Sequence, residues 1–218
     1  MQGRPSGTEW ATAVARQLLA RHGVLTREAM AVEAIPGGYS AVYDVLRAME
    51  DGGRVRRGLF VGGLGAAQFA LPAAIDLLRS VRDPAEAPLV VTLASTDPAN
   101  PYGGILRWPA APSEAGRGPT RSVGTRVVLV DGELAGWLSR GDRQLLVWLP
   151  EDEPRRTRAL TSLASELARL ADQTAGRQGL LIGDVNGQPV SAHPLAPFLA
   201  DAGFSRGAMG MARVRTRH

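Results

Sequence analysis

The sequence predicts an α+β protein in two parts, a set of helices closed by a hairpin over residues 1–81 and a β-rich segment with two helices over 89–218. Three observations carry that expectation. Apolar residues recur at helical spacing through the first fifty positions, and the period then shifts to alternation from Arg54. Beyond a polar, proline-flanked linker at 82–88, short apolar runs alternate with Asp-Gly and Asn-Gly turn pairs.

The helices come first. Ser6 and Glu9 form a capping box ahead of Trp10, Val14 and Leu18, and Gly23 closes that helix. Thr26 caps a short second helix through Ala34, which Ile35-Pro36-Gly37-Gly38 stops. Ser40 to Asp51 is a third, with Val42, Val45, Leu46 and Met49 on one stripe and Asp44, Arg47, Glu50 and Asp51 on the other. Arg54–Val61 and Gln68–Leu71 read as strands around a Gly62-Gly63-Leu64-Gly65 tip, and Pro72 opens a helix through Arg79. Three helices and a hairpin in that order are the pattern of a winged helix, whose third helix usually enters the major groove.

In the second part, Leu89–Leu93, Val123–Val130, Glu133–Ser139 and Arg143–Leu149 read as strands, the last three a meander. Pro154 starts a helix with Leu160, Leu163, Leu167 and Leu170 on one face. Leu180–Val185 and Pro189–Ala192 form a further hairpin through Asn186-Gly187, Pro194–Ala202 a short helix, and Ala208–Val214 a last strand. Six or seven strands with two helices suggest a small β-barrel or a highly curved sheet.

Composition fits a folded chain. Of 218 residues, 44% are apolar and 21% charged, enough for a core and too apolar for disorder. The 26 glycines and 15 prolines indicate many turns. Cysteine is absent, which excludes disulfides, thiolate zinc sites and cysteine nucleophiles and fits a reducing cytoplasm. No apolar run approaches the ~18–20 residues of a membrane span, and the N-terminus lacks a signal-peptide layout, so the expected location is cytoplasmic with no membrane partner.

Charge is more informative by position than in total. The 25 basic residues exceed the 21 acidic ones by only four, yet the pI is about 10.5, because every basic residue is arginine. Between Asn100 and Val130, Arg107, Arg117, Arg121 and Arg126 face Glu114 alone; from Gly203 onward Arg206, Arg213, Arg215 and Arg217 face no acid. Both clusters are candidates to meet phosphates. In the winged helix, Tyr39, Ser40, Tyr43 and Arg47 on the third helix and Arg54, Arg56 and Arg57 on the strand are the candidate nucleic-acid contacts, while Asp44, Glu50 and Asp51 oppose a phosphate backbone.

The glycine cluster at 62–65 is no phosphate cradle, since no Gly-Lys-Ser/Thr follows and its context is a hairpin. His22, His193 and His218 have no ligand-like spacing, so no metal site is expected. Thr96-Asp97-Pro98-Ala99-Asn100-Pro101-Tyr102-Gly103 is the most unusual segment. Two prolines fix the backbone and leave four polar side chains, among which Asp97 suits a general base or a stabiliser of cationic charge, with Asn100 and Tyr102 holding a substrate edge. The same Asp-Pro and Asn-Pro pairs also suit plain turns, the stronger reading.

Several of these stretches carry a family resemblance: Pro36-Gly37-Gly38-Tyr39-Ser40-Ala41-Val42-Tyr43, Val45-Leu46-Arg47-Ala48, Gly52 through Val61, Gly63 through Pro72, Thr96 through Gly103, Val128 through Gly132, and Ser191-Ala192-His193-Pro194-Leu195. In that order, from about Trp10 to Arg215, the chain resembles the end of the bacterial large helicase-related (Lhr) proteins. The resemblance implies the last winged helix plus the β-barrel of a nucleic-acid-dependent ATPase. It makes the chain a DNA-binding accessory module of a DNA-repair helicase that contributes to a glycosylase-like site. ATP and magnesium then belong to the helicase core of full-length relatives, with no cofactor in this chain. More distantly the chain resembles the AlkZ-type DNA glycosylases, although the Gln-x-Gln pair of that family is not found here and Gln68 stands alone before Phe69.

The implied partners are single-stranded or forked DNA and the helicase core in cis or in trans. In the glycosylase reading Asp97 is the catalytic candidate, Asn100 and Tyr102 hold base or sugar, and Gln68 on the hairpin probes DNA. An alternative makes the chain a protein-interaction module that assembles copies of itself or docks the helicase core through the first helix and the Leu160–Leu170 helix.

Overall fold

A computed structural model describes residues 6–65, 67–82, 86–110, 118–173 and 179–214. Arg117, Glu114, Arg215, Arg217 and His218, and residues 83–85 of the 82–88 linker, lie outside the described residues. The chain forms two compact units, Met1–Asp83 with Gly104–Leu106, and Pro84–Gly103 with Arg107–His218.

The first unit opens with α1 (Gly7–His22), whose capping box is complete: Glu9 N donates to Ser6 Oγ at 3.3 Å and the Glu9 carboxylate accepts from Ser6 N at 2.8 Å. Next come β1 (Val24–Leu25) and α2 (Arg27–Val32), capped by Thr26, whose hydroxyl accepts from Ala29 N at 3.1 Å. After these follow α3 (Ser40–Asp51), β2 (Arg56–Gly58), β3 (Gln68–Ala70) and α4 (Pro72–Ser80). Leu18, Leu19, Leu25, Met30, Val42, Leu46, Val55 and Phe69 fill the core between helices and sheet. β3 is the middle strand, antiparallel to both β1 and β2. Two residues are too few to show alternation, so β1 leaves no periodic trace in the sequence.

The second unit contains β4 (Val90–Ala94), β5 (Arg126–Val130), β6 (Glu133–Leu138), β7 (Gln144–Val147) and the long α5 (Arg155–Gln173). It continues with β8 (Leu180–Ile182), β9 (Asp184–Val185), β10 (Gln188–Pro189), a 3-10 turn at Val190–Ala192, α6 (Leu195–Asp201), β11 (Ser205–Gly207) and β12 (Gly210–Arg213). One sheet runs β10-β9-β7-β6-β5-β4 and a smaller one β11-β12-β8.

Both faces of the larger sheet are covered. Leu160, Leu163, Leu167 and Leu170 of α5 pack on Val128, Leu138, Leu145 and Val147, while Leu129, Leu134, Trp137 and Leu146 meet Tyr102, Trp108 and Trp148. Gly136 brings β6 close beneath α5, since a Cβ there would stand 3.0 Å from Leu163 Cδ1. Beside it the register slips: Val128 pairs with Gly136 but Leu129 with Leu134, which leaves Ala135 as a bulge that bends the sheet.

The class is α+β, with the curved-sheet form of the second unit. Among the described residues neither sheet closes on itself, so the barrel expectation is corrected to an open sheet with edge strands β4 and β10. Leu180–Val185 is two strands in different sheets. Gly183 breaks the run, and both Gly183 N and Asp184 N donate to Arg143 O, at 2.9 and 3.1 Å. Pro189–Ala192 is the end of a strand and a 3-10 turn, because Pro189 has no N–H to extend a ladder.

Candidate nucleic-acid interface

The wing and α3 decide what the first unit can present. Gln68 lies at 0% exposure, and its amide is spent inside the hairpin. Its Oε1 accepts from Phe60 N and Val61 N at 2.9 and 2.8 Å, and its Nε2 donates to Val61 O and Gly65 O at 2.9 and 3.2 Å. One buried side chain therefore supplies the hydrogen bonds that the strands stop making, which shortens both strands from the expected Arg54–Val61 and Gln68–Leu71. With every amide atom engaged, Gln68 is a clamp on the wing and no probe of DNA.

Glu28 supports the same loop by accepting from Gly65 N at 3.1 Å. Tyr39, buried at the start of α3, donates its hydroxyl to Ala67 O, and Arg27 lies 5.4 Å from its ring centroid. Burial, aided by neighbouring Tyr43, pushes the Tyr39 phenol up to about 12. Tyr43 is half-buried, edge-on to Phe69 at 6.1 Å. Both tyrosines join helix to wing and present little to a ligand.

Ser40 and Arg47 are exposed on α3, in company with Asp44 and Asp51. The basic surface lies instead on β2. Arg56 and Arg57 are exposed there, Arg54 is exposed two residues ahead of it, and β2 is an edge strand. Arg57 Nε pairs with Glu50 at 3.3 Å, which removes one acid from the balance. Arg54 and Arg56 have no carboxylate partner among the described residues.

In the second unit the Thr96–Gly103 loop is tightly bonded. Asp97 accepts from Ala99 N at 2.8 Å, an Asx turn. Asn100, buried, donates to Ser95 O and Tyr102 O and accepts from Tyr102 N at 2.9, 3.2 and 3.1 Å. Arg121 closes the loop from outside: its guanidinium donates to Asn100 O, Tyr102 O and Asp97 O at 2.7, 3.1 and 3.1 Å. The Tyr102 ring stacks on Trp108 at 6.3 Å, burial raises its phenol, and its oxygen accepts from Leu134 N at 3.3 Å. Gly103 permits this stacking, because its φ is +73° and a Cβ would lie 2.4 Å from the Trp108 ring.

Arginines counted as phosphate contacts are thus partly committed. Arg121 binds carbonyls, Arg126 forms two bonds to Asp142 at 3.0 and 3.2 Å, and Arg213 pairs with Asp172 at 2.8 Å, an acid outside the local window in which it faced none. Arg107 is exposed. Sequence reasoning missed Arg140 and Arg143 in the β6–β7 turn, both exposed and without a carboxylate partner among the described residues. Their signal was present in the Ser-Arg-Gly-Asp-Arg run. His22 bonds Glu33 at 2.9 Å, and His193, whose pKa burial lowers, accepts from Leu195 N at 3.1 Å.

A winged helix with a clamped wing, together with an open curved-sheet domain, defines an α+β protein of the winged-helix class. The first unit matches the family model for the winged-helix domain of large helicase-related proteins, over residues 4–90. The chain is 45% identical over 193 residues to a Mycolicibacterium smegmatis protein named "Lhr helicase/ probable uracil glycosylase", covering 85% of this chain and 12% of that protein. It is 38% identical over 207 residues to the Escherichia coli "Lhr helicase/uracil glycosylase", covering 94% and 13%. The chain belongs to the large helicase-related family as a counterpart of its C-terminal region, and it spans about an eighth of the length of these relatives.

Proposed function

We propose that the chain is a DNA-binding accessory module of a large helicase-related repair helicase, engaging single-stranded or forked DNA through its wing. The observation that carries this reading is the edge strand β2, whose exposed arginines stand on a hairpin held by the buried Gln68 amide. Guanidinium groups on a rigid wing meet phosphates at little entropic cost, whereas α3 carries Asp44 and Asp51 on its exposed face and suits backbone docking poorly. The helicase core named in the relatives is then the partner in cis or in trans, and supplies the ATP and magnesium chemistry. Titration of fluorescent forked DNA at two salt concentrations tests the reading. Arg54→Ala with Arg56→Ala lowers the slope of log affinity against log salt by about 1.4 to 1.8 for two lost phosphate contacts. A slope unchanged by the double variant refutes it.

The relatives' names favour a second reading for the polar loop, base excision of uracil. Asp97 uses one carboxylate oxygen in its turn, which leaves the other for a developing cation or a water. Uracil excision by the chain beside Asp97→Asn, which keeps the Asx turn, tests this. Full activity in the folded variant removes Asp97 from the chemistry.

A further inference from the structure

Charge in the second unit is sorted along the strand direction. At one end of the larger sheet lie the β5–β6 turn and the approach to α5, with Asp131, Glu133, Glu151, Asp152 and Glu153. Four of these acids are engaged: Arg155 pairs with Glu133 at 2.9 Å and Asp152 at 3.3 Å, Arg158 with Asp131 at 3.0 Å, and Glu153 accepts from Thr157 N at 3.1 Å. The opposite end, roughly 15 Å away by strand length, holds the start of β5, the β6–β7 turn and the β11–β12 hairpin. There the balance reverses. Arg121, Arg126, Arg140, Arg143 and Arg206 face Asp97, Asp142 and Asp184. Asp142 pairs with Arg126, while Asp97 and Asp184 each accept a backbone N–H, from Ala99 and from Gly187. Arg140, Arg143 and Arg206 are exposed and have no carboxylate partner among the described residues.

The hairpin beside them is built to stay in place. Arg143 O accepts from Gly183 N at 2.9 Å, which ties the β6–β7 turn to the β8–β9 junction. A Cβ on Gly183 would lie 3.1 Å from Met209 O, and one on Gly210, whose φ is +128°, would lie 2.1 Å from Ile182 O. Only glycine fits that approach at Gly210. On this rigid base Met209 stands 67% exposed, its sulfur 3.9 Å from Arg143 Nη2, and Arg206 lies three residues earlier on the same hairpin. An apolar tip among unpaired guanidiniums suits a nucleic-acid strand, which offers phosphates to arginine and a base or sugar face to methionine.

We propose that this end of the second unit, with Arg140, Arg143, Arg206 and Met209, is a second nucleic-acid contact surface that grips the phosphate backbone and rests Met209 against a base or sugar. The proposal rests on the reading that the chain binds DNA, yet it stands on residues separate from the wing. Fluorescence anisotropy with single-stranded and duplex oligonucleotides over a salt series tests it, with thermal unfolding confirming that each variant folds. Arg140→Ala/Arg143→Ala/Arg206→Ala flattens the salt dependence by about 2 on single strands and about 3 on duplex, and weakens binding roughly tenfold or more. Met209→Ser weakens binding and leaves the slope unchanged. Arg155→Ala/Arg156→Ala, at the acidic end, changes neither, which separates local contact from loss of net charge.

If the triple variant keeps the wild-type slope while Arg54→Ala/Arg56→Ala flattens it, this surface is overturned and the wing reading survives. The reverse result keeps this surface and overturns the wing. A triple-variant effect matched by the acidic-end control overturns it as well. A wild-type chain that binds no oligonucleotide at the lowest salt overturns both.

Discussion

Replacing Gln68 by leucine keeps an apolar side chain of similar length in the wing and deletes its amide. Four backbone groups lose their partner: Phe60 N, Val61 N, Val61 O and Gly65 O. A hydrogen bond of this kind contributes about 1 kcal/mol net, and a buried group left unpaired costs about 1–3 kcal/mol. Phe60 and Val61 are only half-buried, so water can reach part of the loop once it loosens. The expected loss for the first unit is therefore about 2–3 kcal/mol, less than four fully buried losses. Amide hydrogen exchange followed by NMR reads the effect where it arises. Phe60 and Val61 exchange at least tenfold faster in the variant, while core amides such as Leu46 on α3 slow or quicken only with global stability. Gln68→Glu is more damaging still, because a carboxylate oxygen then faces the Val61 and Gly65 carbonyls. Undiminished protection of Phe60 and Val61 in Gln68→Leu refutes the clamp.

Arg121→Ala removes a guanidinium from three carbonyls and destabilises the second unit by about 2–4 kcal/mol in urea unfolding, with Arg121→Lys recovering only part because it lacks the fork. Gly136→Val forces α5 away from β6 and costs about 1–3 kcal/mol, seen as a lower midpoint for the second unit. Tyr39 gives a pH signature: its folded phenol titrates at about 12, above the unfolded value, so its contribution is intact below pH about 10 and is lost as pH rises to about 12. Tyr39→Phe lacks that part of the alkaline loss and is less stable at neutral pH by about 1 kcal/mol; parallel pH profiles for the two proteins would contradict the assignment.

Legibility followed the length of the signal. α1 and α3 were readable to the residue because caps and an apolar stripe agree, Ser6 with Glu9 in one and the Val42, Leu46 and Met49 face in the other. β1, β9, β10 and β11 were not separately readable, since two or three residues carry no period, and β1 and β9 pair with distant partners, Ala70 and Gln144. The open sheet was hidden for the same reason: whether β4 finds a partner beyond β5 is a tertiary fact. In the candidate interface, residue type was legible and commitment was not. Gln68, Asn100 and Arg121 look like ligand-binding groups in sequence, but each is satisfied by backbone atoms that only the fold brings near.

That difference bears on how an arginine-only chain is read. Lysine is a point charge that stays in water, whereas the guanidinium fork matches pairs of carbonyls and carboxylates and is easily drawn into structure. Arg121 on three carbonyls, Arg213 on Ala202 O and Asp172, Arg158 on Glu86 O and Asp131, and Arg156 on Pro150 O are such uses. Acids close in sequence do not predict them: Arg213 finds Asp172 from 41 residues away. A polyanion therefore meets the guanidiniums left over after the fold has taken its share. Arg54 and Arg56 in the first unit, and Arg140, Arg143 and Arg206 at the sheet end, are exposed and have no carboxylate partner among the described residues. On the proposed DNA-binding reading, electrostatic steering scales with those uncommitted guanidiniums rather than with the pI, so charge removal at committed arginines lowers stability, and at uncommitted ones lowers the salt dependence of binding.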